Sequence, residues 1–323
     1  MRDLIIRSRD SAGLHEVSRS ASADTIYKID TEVDPILEKF CEAWGQETPL
    51  VLIAEGLEDE QGREGPVVFP RGLPEDQAEL RVIVDPIDGT RGIMYDKRAA
   101  WALAGVAPNK GPQTRLRDIE IAVMTELPTS KMGSADVLWA IKGQGAQGHR
   151  VHLDTRATTA LAIKPSQAGT LAHGFASVAN FFPGTKALAS QLMEAIVLQT
   201  LGKADVTKAT VFDDQYISTG GQFYEMIIGH DRFNADLRPI FYEMQQQPAG
   251  LCCHPYDCAT LLIAEEAGAI ITDGLGAPLD GPLDTTTGLS WAGFANAGLR
   301  DAIEPIILDF VKRRAGQDHH KSR

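Results

Sequence analysis

Cysteine is scarce in this chain. Cys41, Cys252, Cys253 and Cys258 are the only four in 323 residues. They lack the paired spacing of a zinc site, and they are too few to staple a protein of this length, which predicts reduced thiols in a reducing compartment. Long apolar runs are missing too, and none approaches the length that crosses a bilayer. The opening stretch MRDLIIRSRDSAGLHEVSRS is too often charged to act as a secretory signal. A cytoplasmic location is therefore expected. Positive charge is in deficit: 31 Lys and Arg against 44 Asp and Glu give a net charge of −13. Such a field repels polyanions, which argues against nucleic-acid and anionic-membrane partners. A small phosphorylated ligand remains compatible if positive charge is supplied locally.

What is present is a globular composition, 43% hydrophobic and 23% charged, with neither internal repeats nor low-complexity tracts. Asp30–Trp44 predicts an amphipathic helix, with Val33, Ile36 or Leu37, Phe40 and Trp44 at helical spacing and Gly45 as its stop. TPLVLIAEG predicts a strand ending at Glu55, and LRVIVD another. AAWALAGVAP, DIEIAVMTEL and ADVLWAIKG follow with strand character, and GQGAQG marks a turn. The region around Asp154–Gly169 is the expected domain boundary. Beyond it, TKALASQLMEAIVLQTLG and CATLLIAEEAG predict helices, the second ended by Gly268, while FYEMIIG and AGAIITD predict strands. The tail KRRAGQDHHKSR predicts a frayed end.

The most informative stretch is Val82–Thr90, VIVDPIDGT. Three β-branched residues lead into Asp85, Pro86, Ile87 and Asp88. On an ideal strand residues three apart face opposite ways. Pro86 cannot donate to a ladder, so the strand is expected to end at Asp85 and a turn to swing Asp88 back to the same point. Gly89 leaves room for a ligand, and a helical turn from Thr90 would offer backbone N–H groups to phosphate. Two close carboxylates repel each other. A hard divalent cation removes the conflict, which favours magnesium or calcium, with manganese as a substitute. An Asp-Pro turn with each carboxylate bonded to backbone is the plainer alternative.

DPIDGT resembles the first signature of the inositol monophosphatase family, within the lithium-sensitive, magnesium-dependent phosphatase superfamily that includes fructose-1,6-bisphosphatases and nucleotide 3′-phosphatases. IAEG around Glu55, DTIYKID with Asp24, Lys28 and Asp30, and HPYDCATLLIAEEAGAIITD resemble further family segments in the same order. The resemblance spans roughly residues 24 to 298. It implies an α+β / α/β fold, a layered αβαβα sandwich. An N-terminal α+β part, residues 1–160, would hold a large antiparallel sheet, and an α/β part, 161–323, would contribute Asp257. It implies one metal on Glu55, Asp85 and the Ile87 carbonyl, a second on Asp85, Asp88 and Asp257, and in some members a third near Glu55. The cofactor would thus be two or three Mg2+, with Mn2+ able to substitute. Gly89 and Thr90 would hold the phosphate, and Thr90 with Glu55 would position and deprotonate the attacking water. A homodimer is also implied.

The expected activity is hydrolysis of a small sugar, polyol or nucleotide phosphate by metal-activated water. Alternatives are fructose-1,6-bisphosphate or adenosine 3′,5′-bisphosphate as substrate, a non-catalytic phosphate-ligand-binding protein on the same scaffold, and an acidic calcium-binding module, which no EF-hand-like loop supports. The chain departs from the family around the substrate. Arg91-Gly92 stands where Thr-Asn is common, Gly56 where a second glutamate is, and Tyr256 and Thr260 where Trp and Ala are. Gly250 replaces the glutamate that contacts inositol seven residues before the metal aspartate, so inositol phosphate is not a safe substrate. Arg91 and Asp236 are candidate substrate contacts, followed by Asp231, Arg232 and Arg238.

Several residues carry a plainer reading. Alone, Asp257 reads as a helix N-cap, as does Asp30. Glu58, Asp59 and Glu60 read as a solvated loop, Glu265 and Glu266 as surface or supporting groups, and Lys28 as a surface charge. His230 and His254 read as structural or solvated, and His319 and His320 as tail residues. Trp44, Trp101, Trp139 and Trp291 read as core or interface.

Overall fold

The computed structural model describes residues 17–20, 25–27, 33–57, 65–203, 205 and 207–321. Asp24, Lys28, Asp30, Glu58, Asp59 and Glu60 lie outside them. A short hairpin of β1 (Val17–Ser20) and β2 (Thr25–Tyr27) precedes helix α1 (Asp34–Glu47). Pro35 sits in the first turn of α1, where a missing N–H costs nothing. The buried stripe of α1 is Val33, Leu37 and Cys41, while Phe40 and Trp44 point outward, each 54% exposed. Gly45 is no stop, since the helix continues to Glu47. It is a contact residue: a Cβ there would come within 2.7 Å of the Phe69 backbone. Close seating on the sheet selected small residues for this face and turned the aromatics to solvent.

An eight-stranded sheet comes next, in the order β10-β9-β8-β7-β6-β5-β3-β4. Its strands are β3 (Leu50–Ala54), β4 (Val67–Phe69), β5 (Leu80–Asp88), β6 (Ala100–Pro108), β7 (Ile121–Leu127), β8 (Ser134–Ile141), β9 (Ala146–His152) and β10 (Thr158–Ala160). All neighbours are antiparallel except β3 and β5, which run parallel. A five-stranded sheet has the order β12-β11-β13-β15-β14. It contains β11 (Gly174–Val178), β12 (Val211–Phe212), β13 (Asp231–Asp236), β14 (Ile270–Thr272) and β15 (Trp291–Phe294). Here β12, β11 and β13 are parallel and β15 is antiparallel to both its neighbours.

The remaining helices are α2 (Thr90–Met94), α3 (Lys186–Leu201), α4 (Thr219–Ile227), α5 (Arg238–Met244), α6 (Leu261–Glu266) and α7 (Ala297–Lys321). Helix α1 packs on β3 and β4. Helices α4 and α6 lie between the sheets and touch strands of both, and α3 and α7 cover the outer face of the small sheet. The result is an αβαβα sandwich of the expected class. One apolar cluster joins the layers, from Ile83, Trp101 and Met124 in the large sheet to Phe233, Trp291 and Phe294 in the small one.

Two further expected elements differ. FYEMIIG is helical, forming most of α4, rather than a strand. Every residue of α4 but Glu225 is buried, so this short run has almost no solvent face to mark its period, and periodicity cannot separate a buried helix from a buried strand. Ser218 settles the matter by capping: its Oγ accepts from the Gly221 N–H at 2.9 Å. The tail, expected to fray, continues α7 to Lys321.

The two sheets approach closely through the middle layer at Gly105 of β6. A Cβ there would lie 2.7 Å from the Ala259 carbonyl oxygen and 2.6 Å from Ile119 Cδ1. Only glycine admits that backbone, which belongs to the segment carrying Asp257. Gly105→Ala is expected to lower stability by about 1–3 kcal/mol through overpacking. Urea denaturation checks this, and an unchanged midpoint with an unchanged slope would show that the Ala259 backbone is not held against the sheet.

Candidate active site

Strand β5 does not stop at Asp85. It runs to Asp88, and its pairing with β6 slips on the way: Asp85 pairs with Leu103 and Asp88 with Trp101. Three steps on β5 thus match two on β6, which is a β-bulge. Leu103 and Trp101 are two apart and share a face, so the bulge brings Asp85 and Asp88 to one side. Pro86 sits in the bulge, where no ladder N–H is required. The bulge replaces the expected turn and produces the same convergence. Gly89 follows with φ +96°, a left-handed conformation that suits glycine, and α2 starts at Thr90.

The two aspartates are held by different neighbours. Asp85 Oδ1 accepts from the Ile87 N–H at 2.9 Å. Asp88 Oδ2 accepts from Ser218 Oγ at 2.8 Å and from the Gly220 N–H at 2.6 Å, both at the start of α4. A Cβ on Gly220 would sit 2.9 Å from that oxygen, so the contact needs glycine. The third acid arrives from the other half of the chain. Asp257 lies in a run of turns before α6, and its Oδ2 accepts from the His254 N–H at 2.6 Å. Because α6 begins at Leu261, with Thr260 in the cap position, Asp257 is not a helix cap; it faces the cleft. Glu55 follows β3, whose Ala54 pairs with Val84, so it emerges beside Asp85.

Asp85, Asp88 and Asp257 each present an oxygen within 4.8 Å of the others. Burial raises the Asp85 carboxyl well above its usual range, and the charges of Asp88, Asp257 and Glu55 push it further. Asp88 is pushed up to about 7 by burial, against the lowering effect of Ser218 and the Gly220 and Thr219 N–H groups. Asp257 is raised by desolvation and by Asp88 and Glu55, and eased by His254 N–H and Arg238. Three crowded carboxylates that resist ionisation together, offering only hard oxygen donors, could hold a hard divalent cation. Asp85, Asp88 and Asp257, which the first signature and the Asp257 segment singled out, are the three acids brought together here.

The other expected residues distribute unevenly. Glu55, Ile87, Gly89, Thr90 and Arg91 all line the cleft with the three aspartates. Thr90 Oγ1 donates to the Ile87 carbonyl at 2.7 Å. Arg91 lies over the Phe182 ring, 5.1 Å from its centroid. Asp236 is not among the lining residues; it is buried and paired with Arg238, which does line the cleft. Arg232 is spent on the Thr170 and Ala172 carbonyls. Glu265 pairs with Arg117, and Glu266 accepts from the Gly143 and Gly145 N–H groups, so both serve the fold. His230 pairs with Glu225, and buried His254 stacks on Tyr256. Trp101 and Trp291 are core residues, whereas Trp44 is exposed.

Ser218, Gly220, Phe181 and Phe182 were not anticipated. For the first two a signal existed, a serine in cap position before Thr-Gly-Gly, but only the sheet–helix contact aims that cap at Asp88. Phe181 and Phe182 reach the cleft from the loop after β11, and nothing local marks them.

No family model matches the chain, and no curated protein matches it in sequence. Solved structures do match in fold. Leishmania major fructose-1,6-bisphosphatase in its holo form superposes with a TM-score of 0.65 at 13% identity, covering 96% of this chain and 90% of that one. The T-state of the same enzyme gives 0.63 at 13%, covering 95% and 88%. An IMPase of Thermotoga maritima gives 0.59 at 16%, covering 97% and 94%. The chain therefore shares its layered fold with these enzymes.

Asp231 begins β13, away from the cleft-lining residues, and is buried. Burial pushes its carboxyl up to about 6; the Asn234 hydrogen bond and Arg98 oppose the shift, while Glu225 and Asp214 add to it. The folded state then holds a proton that the unfolded chain releases near pH 4. The stability this confers is complete below the unfolded value and is lost as pH rises through about 6. Asp231→Asn keeps an acceptor for Asn234 and removes that loss. Relative to wild type, the variant is expected to gain on the order of 2–3 kcal/mol between pH 4 and pH 7, read from urea unfolding at each pH. A stability difference that does not change with pH would contradict the buried proton.

Proposed function

We propose that this chain is a metal-dependent phosphomonoesterase acting on a small phosphorylated metabolite. The observation that carries the reading is the convergence of Asp85, Asp88 and Asp257, from distant parts of the chain, within 4.8 Å in one cleft. Asp85, Asp88 and Asp257 would hold one magnesium ion, and Glu55, Asp85 and the Ile87 carbonyl another, with manganese able to replace it and a third ion near Glu55. Bound there, the ions supply the charge neutralisation and Lewis acidity that let a phosphate dianion approach four carboxylates.

The protein groups supply position. The Gly89 and Thr90 N–H groups would receive the phosphate oxygens at the turn into α2. The Thr90 hydroxyl, whose proton is committed to the Ile87 carbonyl, presents its oxygen as an acceptor and so orients a water. Glu55, at the end of β3, would take that water's proton. Arg91 at the cleft wall is a substrate contact, and Asp236 acts on substrate only through Arg238. The structural neighbours named as fructose-1,6-bisphosphatase and IMPase favour a sugar or polyol phosphate among the substrate classes. A homodimer in the cytoplasm completes the reading.

Asp85→Asn tests it. Removing a ligand shared by both ion positions is expected to lower magnesium-dependent phosphate release by more than about 100-fold, beyond the effect usual for a supporting residue. A metabolite-phosphate panel with magnesium, with and without lithium, measures this. The variant should stay folded by circular dichroism, and the magnesium-induced rise in Tm expected of wild type should be absent from it. Undiminished turnover in Asp85→Asn would sink the metal assignment, and tight ligand binding without turnover under several divalent ions would favour a binding protein.

A further inference from the structure

A cavity of about 160 Å³ shares no lining residue with the active cleft. Its apolar wall is made by Leu116 and Ile119, at the single 3-10 turn between β6 and β7, and by Leu261 and Leu262 in the first turn of α6. All four are buried, at 7% exposure or less. Arg117 and Lys142, both exposed, and half-buried Glu265 complete the lining. An apolar cavity of about 150 Å³ stays dry and takes up one benzene molecule, whereas a trapped water needs two or more polar partners. The inner wall here offers a water none, so it suits a compact organic body.

The charged groups say what that body carries. Arg117 Nη1 donates to Glu265 Oε1 at 2.9 Å and to the Leu279 carbonyl at 3.3 Å, which uses both of its hydrogens. Among the described residues its Nε and Nη2 have no side-chain or backbone acceptor, and that edge of a guanidinium matches the two oxygens of a carboxylate. Lys142 Nζ donates to the Arg117 carbonyl at 2.8 Å and keeps two donors. Glu265 offsets one of the two cations. The neighbouring acids are engaged elsewhere: Asp118 by Lys110, Asp280 by Arg115, and Glu266 by the Gly143 and Gly145 N–H groups. One positive charge is thus left over beside an apolar wall, in a chain whose net charge is −13. We propose that this cavity is a second ligand site, separate from the active cleft, for a small monocarboxylate with a benzene-sized apolar body. The four aliphatic side chains take the body. The Nε–Nη2 edge of Arg117 takes the carboxylate, and Lys142 supplies the second cation.

The proposal does not rest on the phosphatase reading, and its test needs no metal and no turnover. Ligand-observed NMR titration of the full chain, in a chelator that keeps carboxylates off any ion in the cleft, compares benzoate with benzamide and acetate. Benzoate is expected to bind saturably with a Kd on the order of 1 mM. Benzamide lacks the charge and acetate lacks the body, so each should bind about 10-fold or more weakly. Arg117→Met should lose about 10-fold in benzoate affinity, with folding checked by circular dichroism. Lys142→Gln, whose side chain gives up only its bond to a carbonyl, tests the same site without disturbing the Glu265 pair and should weaken benzoate several-fold. Asp85→Asn should leave the affinity unchanged. The absence of saturable benzoate binding below about 10 mM, equal affinity for benzamide, or undiminished binding in either Arg117→Met or Lys142→Gln overturns the proposal. Loss of benzoate binding in Asp85→Asn would place the ligand in the active cleft and overturn it equally.

Discussion

Mutual repulsion among carboxylates is the constraint around which this molecule is arranged. Asp85, Asp88 and Asp257 are brought to within 4.8 Å in a buried cleft, with Glu55 acting on two of them. Each acid is unfavourable there as an ion, and each is held by contacts that favour the ionised form: the Ile87 N–H for Asp85, the start of α4 for Asp88, the His254 N–H for Asp257. Such an arrangement costs folding energy in the absence of a cation. The surrounding layers supply the packing that sustains it.

Those layers meet at the site. Trp101 pairs with Asp88 in the ladder and donates its indole N–H to Tyr216 in the other half, and Tyr216 donates in turn to the Ala99 carbonyl. Arg98 reaches across to Asp214 and Glu225 while lying on the Tyr216 ring. Tyr224 of α4 bonds to Asp136 of β8, which also takes the fork of Arg150. The seam between the sheets is thus tied by polar contacts, buried at Tyr216 and Tyr224 and partly exposed at Arg98 and Arg150, on a shared apolar core, and the distance from Asp257 to the β5 acids is set by the packing of α4 and α6.

Legibility varied with how local the cause was. Residues in VIVDPIDGT announced themselves because a proline, a glycine and two acids in one short run have few compatible backbones. The strands from β6 to β8 followed from alternation, and α3 from its length. FYEMIIG misled because full burial erases periodicity. The α1 stripe misled because a small face, Cys41 and Gly45, outweighed the aromatic one once Phe69 had to fit beneath it. Asp236 read as a substrate contact and its partner Arg238 as a lesser one, because sequence order says nothing about which of two paired side chains faces the cleft.

By itself the amino-acid order determined the chemistry on offer: hard oxygen donors, a flexible Gly89 turn and an acidic surface unsuited to polyanions, since these depend on side-chain type and on neighbours a few bonds away. Tertiary structure alone decided which donors meet. The bulge that aligns Asp85 with Asp88, the helix start that braces Asp88, and the Phe181–Phe182 wall that seats Arg238 each join residues far apart along the chain. Their positions follow from how whole layers pack, and no short stretch of sequence carries that information.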